Sequence, residues 1–227
     1  MNTENKKLSV GIIMDGNRRW AKERNLPTML GHKAGYEKIK DVLNWSGELN
    51  ISHLIVYAFS TENWKREKEE VSYLMNIFRE ASQTYFEALG KERTVRFIGN
   101  LDMLSEDLRA YCDEANQKSE IKGKCALIVA LSYGGRDEIL RAIAKIKIEN
   151  GKEVAEKEMS LLLDTKNVPD PDLIIRTGGE QRLSGFLTWQ SVYSELFFPK
   201  TYWPDFSKDE FEKIIAEYNE RNRRFGK

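Results

Sequence analysis

The chain has 227 residues, and its 36 Lys and Arg balance 36 Asp and Glu, for a formal net charge of zero. That length fits a single domain, residues 1–227, better than two, and the neutral balance argues against a general nucleic-acid binder, which carries a broad basic excess. Two cysteines, Cys112 and Cys125, and two histidines, His32 and His53, show neither a disulfide framework nor the spacing of a zinc site.

The first residues, Met1 to Lys7, are polar and lack the apolar stretch of a signal peptide. Val10–Met14 then reads as a buried strand, as do Leu54–Phe59, Val95–Ile98, Cys125–Leu131 and Leu173–Ile175, with Glu195–Phe198 a weaker sixth. Between them, Val71, Leu74, Met75, Phe78, Tyr85, Phe86 and Leu89 recur at steps of three and four and predict one apolar helical stripe. Ile139, Leu140, Ile143 and Ala144 repeat that signal more briefly, and Pro169 and Pro171 mark a turn. Ser207 and Glu210 predict a capping box ahead of Phe211, Ile214, Ile215 and Tyr218. Strand–helix alternation of this kind predicts an α/β fold, a mainly parallel sheet of about six strands flanked by helices. The longest apolar runs fall far short of the ~20 residues of a membrane span, so a soluble, cytoplasmic protein is expected.

Open parallel sheets bind ligands beyond the carboxyl ends of their strands, and here those ends are polar. The first is followed by Asp15-Gly16-Asn17-Arg18-Arg19-Trp20 and the second by Ser60-Thr61-Glu62-Asn63-Trp64-Lys65-Arg66. The fourth runs into Ser132-Tyr133-Gly134-Gly135-Arg136, and the fifth into Arg176-Thr177-Gly178-Gly179-Glu180-Gln181-Arg182. Together these loops read as an anion site. Gly16 admits close backbone approach, a helix starting near Asn17 offers free N–H groups, and Arg19, Arg176 and Arg182 add forked donors. An acid beside such a site suits a cation bridging it to phosphates, which makes Asp15 a candidate magnesium ligand. Taken singly, each residue also has a plainer role: Asp15-Gly16 as a turn, Arg176 as an ion-pair member, Trp64 and Trp203 as packing, and Lys65 to Glu70 as a solvated face.

Met14-Asp15-Gly16-Asn17-Arg18-Arg19-Trp20-Ala21, Gly31-His32-Lys33-Ala34-Gly35 and Tyr57-Ala58-Phe59-Ser60-Thr61-Glu62-Asn63-Trp64 resemble successive motifs of the cis-prenyltransferases, the bacterial undecaprenyl diphosphate synthases in particular. Asp172 to Phe198 and the terminal Arg223-Arg224-Phe225-Gly226 continue the resemblance, in the family's order, over essentially the whole chain. It implies an Mg2+-dependent isoprenyl transferase that condenses isopentenyl diphosphate onto an allylic diphosphate, farnesyl diphosphate being the favoured primer. The implied product is a long cis-polyprenyl diphosphate, the precursor of a lipid carrier for cell-wall synthesis.

By that resemblance Asp15 and Glu195 hold the metal. Gly16, Asn17, Arg18 and Arg19, with Trp20 beside them, cradle the allylic diphosphate, while Arg176, Arg182 and Ser184 bind that of isopentenyl diphosphate. His32, Ser60, Thr61, Glu62, Asn63, Trp64 and Arg66 belong to the active-site rim, with a mobile segment around residues 62 to 72. Asp15, Asn17, His32, Ser60 and Asn63 are the implied catalytic set, and Asn17, His32, Ser60 or a diphosphate oxygen assists the proton loss. An apolar tunnel lined by Leu74, Met75, Phe78 and Phe86 would take the growing chain. The resemblance also implies a homodimer whose C-terminal arginines complete a neighbour's site, and transient contact with the inner membrane face.

The chain departs from the family pattern at several points. Thr28 stands where many members have an arginine that contacts the allylic diphosphate, Glu67 replaces a proline and Thr188 a leucine, and Gly90 to Val95 is slightly shortened. Two other readings compete: a synthase of short or medium chains, and a non-catalytic isoprenoid-binding subunit.

Overall fold

The computed structural model describes residues 7–86, 89, 93–117, 125–146 and 154–221. Six strands form one sheet: β1 (Leu8–Ile13), β2 (Ile51–Ser60), β3 (Val95–Ile98), β4 (Ala126–Tyr133), β5 (Leu173–Arg176) and β6 (Glu195–Phe197). Their order is β3-β4-β2-β1-β5-β6, and every neighbouring pair is parallel. β1 and β4 are buried at every position, as continuous apolar runs must be when helices cover both faces of a sheet.

Seven α-helices are among the described residues: α1 (Asn17–Glu23), α2 (Thr28–Glu48), α3 (Lys68–Ala81), α4 (Glu106–Gln117), α5 (Gly135–Lys145), α6 (Glu156–Leu162) and α7 (Lys208–Glu220), with a short 3-10 turn at Thr61–Lys65 after β2. Alternate strand residues divide between two cores. Val10, Ile12, Leu54, Val56, Leu127 and Val129 pack with Ile39, Leu43, Leu74, Phe78, Leu108 and Phe211 on one face. Ile13, Ile55, Ile128 and Ile174 pack with Phe186 and Leu187 on the other.

All six expected strands form; Val95–Ile98 has the expected bounds, and no end of the others is shifted by more than three residues. The stripe from Val71 onward is α-helical only to Ala81 and continues as a π-helical turn, Ser82–Phe86. His32 lies one turn inside α2, which already starts at Thr28 after Pro27. The capping box at α7 is half formed: the Glu210 backbone N–H donates to Ser207 Oγ, but the Glu210 carboxylate accepts from Thr201 instead.

A larger departure concerns α5. Its apolar residues Leu140 and Ile143 face outward, 67% and 51% exposed, while Gly135, Glu138 and Ala142 turn inward. The Arg223–Gly226 motif and part of the Gly90–Val95 stretch lie outside the described residues. Among the described residues no helix is long and apolar enough to cross a membrane.

Candidate active site

Because every strand runs the same way, the carboxyl ends of β1, β2, β4 and β5 open on one rim. Asp15 sits just past β1, on a turn made possible by Gly16 at φ 106°. Its carboxylate accepts from the Gly16 N–H at 2.6 Å and from Arg176 Nη2 at 2.8 Å, with Arg19 Nη2 at 3.1 Å. Burial works to raise the Asp15 pKa, but the bonds and charges of Arg176 and Arg19 outweigh it and hold the carboxyl below its ordinary value. The Asp15 carbonyl is fixed too, by the Thr177 hydroxyl at 2.7 Å and the Trp203 N–H at 3.0 Å.

Arg176, only 5% exposed, is the organising cation. Besides Asp15 it donates to the Arg182 carbonyl at 2.5 Å and to Ser184 Oγ at 2.8 Å. Ser184 occupies the left-handed region, φ 51°, a conformation that costs of order 1–3 kcal/mol for a non-glycine residue and persists where surrounding bonds enforce it.

A second cluster forms where α1, α2 and α3 meet. Gly31 and Gly35, one turn apart on α2, leave room for Asn17: a Cβ on either would lie 2.1 Å from the Asn17 carbonyl or 2.4 Å from its Oδ1. This close packing is the physical content of the Gly31–Gly35 motif. It leaves Asn17 Oδ1 buried without a hydrogen-bond partner, while Nδ2 donates to the Met14 carbonyl at 3.3 Å.

On the same helix His32 Nε2 lies 3.0 Å from Glu70 Oε1. An ionised carboxylate only accepts, so Nε2 carries the hydrogen. Arg66 Nη1 reaches the same oxygen at 2.9 Å, and Arg18 Nε lies 4.0 Å from it. Burial lowers the His32 pKa and the Glu70 contact only partly offsets it. For Glu70, burial raises the pKa, but His32, Arg66 and Arg18 together pull it below its ordinary value.

A cavity of about 960 Å³ joins the two clusters. Asp15, Asn17, His32, Ser60, Thr61, Glu62, Asn63, Arg66, Arg176 and Ser184 all line it, so ten expected site residues from the carboxyl ends of β1, β2 and β5, the segments that follow them, and α2 converge. Ile13, Met14, Ala58 and Leu74 give it an apolar wall. Of the four expected tunnel residues only Leu74 lines this cavity; Met75, Phe78 and Phe86 pack in the core.

Other expected site residues lie elsewhere. Trp20 donates its indole N–H to Asp205 at 2.7 Å. Trp64 donates to Ser132 at 2.9 Å and packs edge-on against Phe59, in agreement with its packing role. Asn63 lines the cavity yet also accepts from the Ser60 N–H at 3.0 Å, so it shapes the loop. The Arg182 guanidinium pairs with Glu180, and the side chain is 61% exposed; its carbonyl, not its charge, touches Arg176.

Glu195 is not brought to Asp15 within this chain. It pairs in register with Leu173, three residues before Arg176, roughly 10 Å down the sheet, and its carboxylate accepts from Arg221 at 2.7 Å. Three residues join the site beyond those expected singly: Glu70 anchors the second cluster, and Arg136 and Tyr57, which the sequence places only within a rim loop and a motif, line the cavity.

Among the described residues no group of three or more His, Cys, Asp and Glu is placed to hold a metal. Magnesium, however, keeps several waters and takes one or two carboxylates together with substrate phosphates. The Asp15 carboxylate, beside Arg176 in the cavity lining, fits an ion that arrives with a diphosphate, and does not form a closed protein cage.

A parallel α/β sheet with arginines, a fixed carboxylate and an apolar wall at one carboxyl-edge cavity defines a protein built for amphiphilic phosphate esters. Residues 13–226 match the prenyltransferase family model described as "Putative undecaprenyl diphosphate synthase", and the chain belongs to that family. It is 48% identical to an isoprenyl transferase of Thermotoga maritima, over 96% of this chain and 95% of the relative.

Among solved structures it resembles lavandulyl diphosphate synthase from Lavandula x intermedia in complex with dimethylallyl diphosphate. The TM-score is 0.88 at 33% identity, covering 96% of this chain and 98% of the other. It also resembles "a probable undecaprenyl diphosphate synthase" from Campylobacter jejuni, with a TM-score of 0.78 at 35% identity over 98% and 100% of the two chains.

Proposed function

We propose that this protein condenses isopentenyl diphosphate onto an allylic diphosphate, with farnesyl diphosphate as primer, to build a cis-polyprenyl diphosphate of undecaprenyl type for cell-wall lipid carriers. The observation that carries this reading is the buried Arg176, bonded at once to Asp15 and Ser184 at the mouth of a cavity with an apolar wall.

In the reaction the allylic C–O bond breaks and diphosphate leaves with the electron pair. The isopentenyl double bond attacks the allylic carbon, and a proton is lost to form the new cis alkene. Arg19 and Arg66 stabilise the charge that builds on the departing diphosphate, while Arg176 and Ser184 hold the diphosphate of isopentenyl diphosphate, which stays attached. Magnesium, held by Asp15 with phosphate oxygens and water, would add Lewis-acid stabilisation of that leaving group. Ile13, Met14, Ala58 and Leu74 keep water from the cationic carbon. The proton passes to His32, Ser60 or a diphosphate oxygen; a carbocation's neighbouring proton is acidic enough for any of these.

The exposed Leu140, Ile143, Val192 and Tyr193 support assembly as a homodimer, since association would take exposed apolar side chains out of water. The greasy product supports transient contact with the cytoplasmic membrane face. A second reading, a shorter product, is favoured by the core packing of Met75, Phe78 and Phe86 and by the fold match to lavandulyl diphosphate synthase.

Incubation with labelled isopentenyl diphosphate, magnesium and geranyl or farnesyl diphosphate, with products resolved by length, separates the two. Long cis products are expected; products of one or two added units would give the second reading, and no elongation would sink both.

A further inference from the structure

One carboxylate oxygen, Glu70 Oε1, collects three cationic or donor groups: Arg66 Nη1 at 2.9 Å, His32 Nε2 at 3.0 Å and Arg18 Nε at 4.0 Å. They come from three separate elements: the segment after β2, helix α2 and helix α1. His32 and Arg66 both line the cavity, while Glu70, in the first turn of α3, does not. An acid there does favour the helix dipole, but a dipole contact is worth only about 0.3–1 kcal/mol. Glu69, in the same turn, already supplies such a contact while remaining exposed. The dipole therefore does not explain why three donors converge on Glu70.

The convergence resembles the way donors surround a phosphate oxygen. We propose that Glu70 is an internal counter-ion, a positioning residue that holds Arg18, His32 and Arg66 in the empty protein and yields them to an incoming diphosphate. A phosphate brought to Arg66 and His32 meets the Glu70 charge, and two anions do not share these donors without a cost. Binding therefore displaces the Glu70 side chain, and its departure loosens the tie between α3 and α2 on the side where Leu74 faces the cavity. Glu70 thereby sets the affinity for the first diphosphate and links its arrival to the wall that receives the chain. This rests on the diphosphate reading of the cavity.

The test uses inorganic pyrophosphate as the probe, titrated calorimetrically into the wild type, Glu70→Gln and Glu70→Gln/Arg66→Gln, with thermal melts of each alone and with pyrophosphate. Glu70→Gln is expected to bind about fivefold more tightly or better, the effect of removing one like charge at roughly 4 Å even in water-like surroundings. Its Tm alone should fall, because three donors lose their anion, and its pyrophosphate-induced rise in Tm should exceed that of the wild type. The added Arg66→Gln change should abolish the gain. Equal or weaker binding by Glu70→Gln, with pyrophosphate still bound by the wild type, overturns the counter-ion role and leaves the diphosphate reading standing. Absence of binding by wild type and Glu70→Gln alike overturns the diphosphate reading and this proposal with it.

Discussion

Two carboxylates near the rim of the sheet live in opposite surroundings. Asp15 stands among arginines at the cavity mouth and stays ionised, its pKa held down. Glu138 lies on α5, 1% exposed, and accepts from the Tyr133 hydroxyl at 2.6 Å, Gln190 at 3.1 Å and the Asp164 N–H at 3.0 Å. All three donors are neutral, and burial pushes the Glu138 pKa up. A carboxylate kept charged by partners at a cavity is ready for a cationic or metal-bound ligand. One satisfied by neutral donors in the interior ties β4, α5 and the loop of Gln190 together. Chemistry and scaffold are thus separable by partner type as well as by burial.

The separation is broken or sharpened by substitutions at the two places. Asp15→Ala should lower kcat by roughly a hundred- to a thousandfold, the size of losing one preorganised electrostatic contact, with a smaller fall in Tm because the buried Arg176 loses its carboxylate partner; unchanged turnover would remove Asp15 from the chemistry. Arg176→Ala should raise the KM for isopentenyl diphosphate about tenfold or more, as befits a lost charge-assisted bond. Arg182→Ala, whose exposed guanidinium already pairs with Glu180, should raise it by no more than about fivefold. Equal effects would show that Arg182 swings inward on binding.

At the scaffold, Glu138→Leu should cost about 3 kcal/mol in denaturant unfolding by leaving buried donors unpaired, with kcat of the surviving fold nearly intact. The two carboxylates also predict opposite responses to pH. Asp15, with its folded pKa depressed, contributes stability above its unfolded value of 3.8 that is lost as pH falls below it. Glu138, with its folded pKa raised, is most favourable below its unfolded value of 4.5, and its contribution is lost as pH rises from there through the folded value. Melts across pH should therefore show Asp15→Asn flattening the acid limb and Glu138→Gln flattening the fall on the other side. A small effect is expected from Thr28→Arg, which places a donor at the start of α2 and should tighten farnesyl diphosphate binding about twofold to fivefold.

The strands were legible because continuous apolar runs have few alternatives in a parallel sheet. The rim was legible for a related reason: strand ends fix where loops converge, so Asp15, Asn17, Ser60 and Arg176 meet wherever side chains point. Direction is what a linear pattern does not carry. The Leu140 and Ile143 stripe has the right spacing but faces outward. The run Lys65 to Glu70 reads as a solvated face, and Lys65, Glu67, Lys68 and Glu69 obey that reading. Arg66 and Glu70, four residues apart, turn together toward His32. That i, i+4 spacing was the available signal, and it gains meaning only once α2 is placed beside α3. Glu195 lies apart from Asp15 within the chain for a reason of register: its strand begins level with Leu173, at the end of β5 away from Arg176.

The stoichiometry of diphosphate release tests condensation at this rim most directly. Farnesyl diphosphate, isopentenyl diphosphate and magnesium are supplied together and then with each component omitted in turn, while released diphosphate and consumed isopentenyl diphosphate are both counted. A condensing enzyme at the Asp15–Arg176 rim releases one diphosphate for each isopentenyl unit consumed and none when isopentenyl diphosphate is absent. Release from farnesyl diphosphate alone would make the cavity a hydrolytic one, and no release under any condition from folded protein would make it a binding site without turnover.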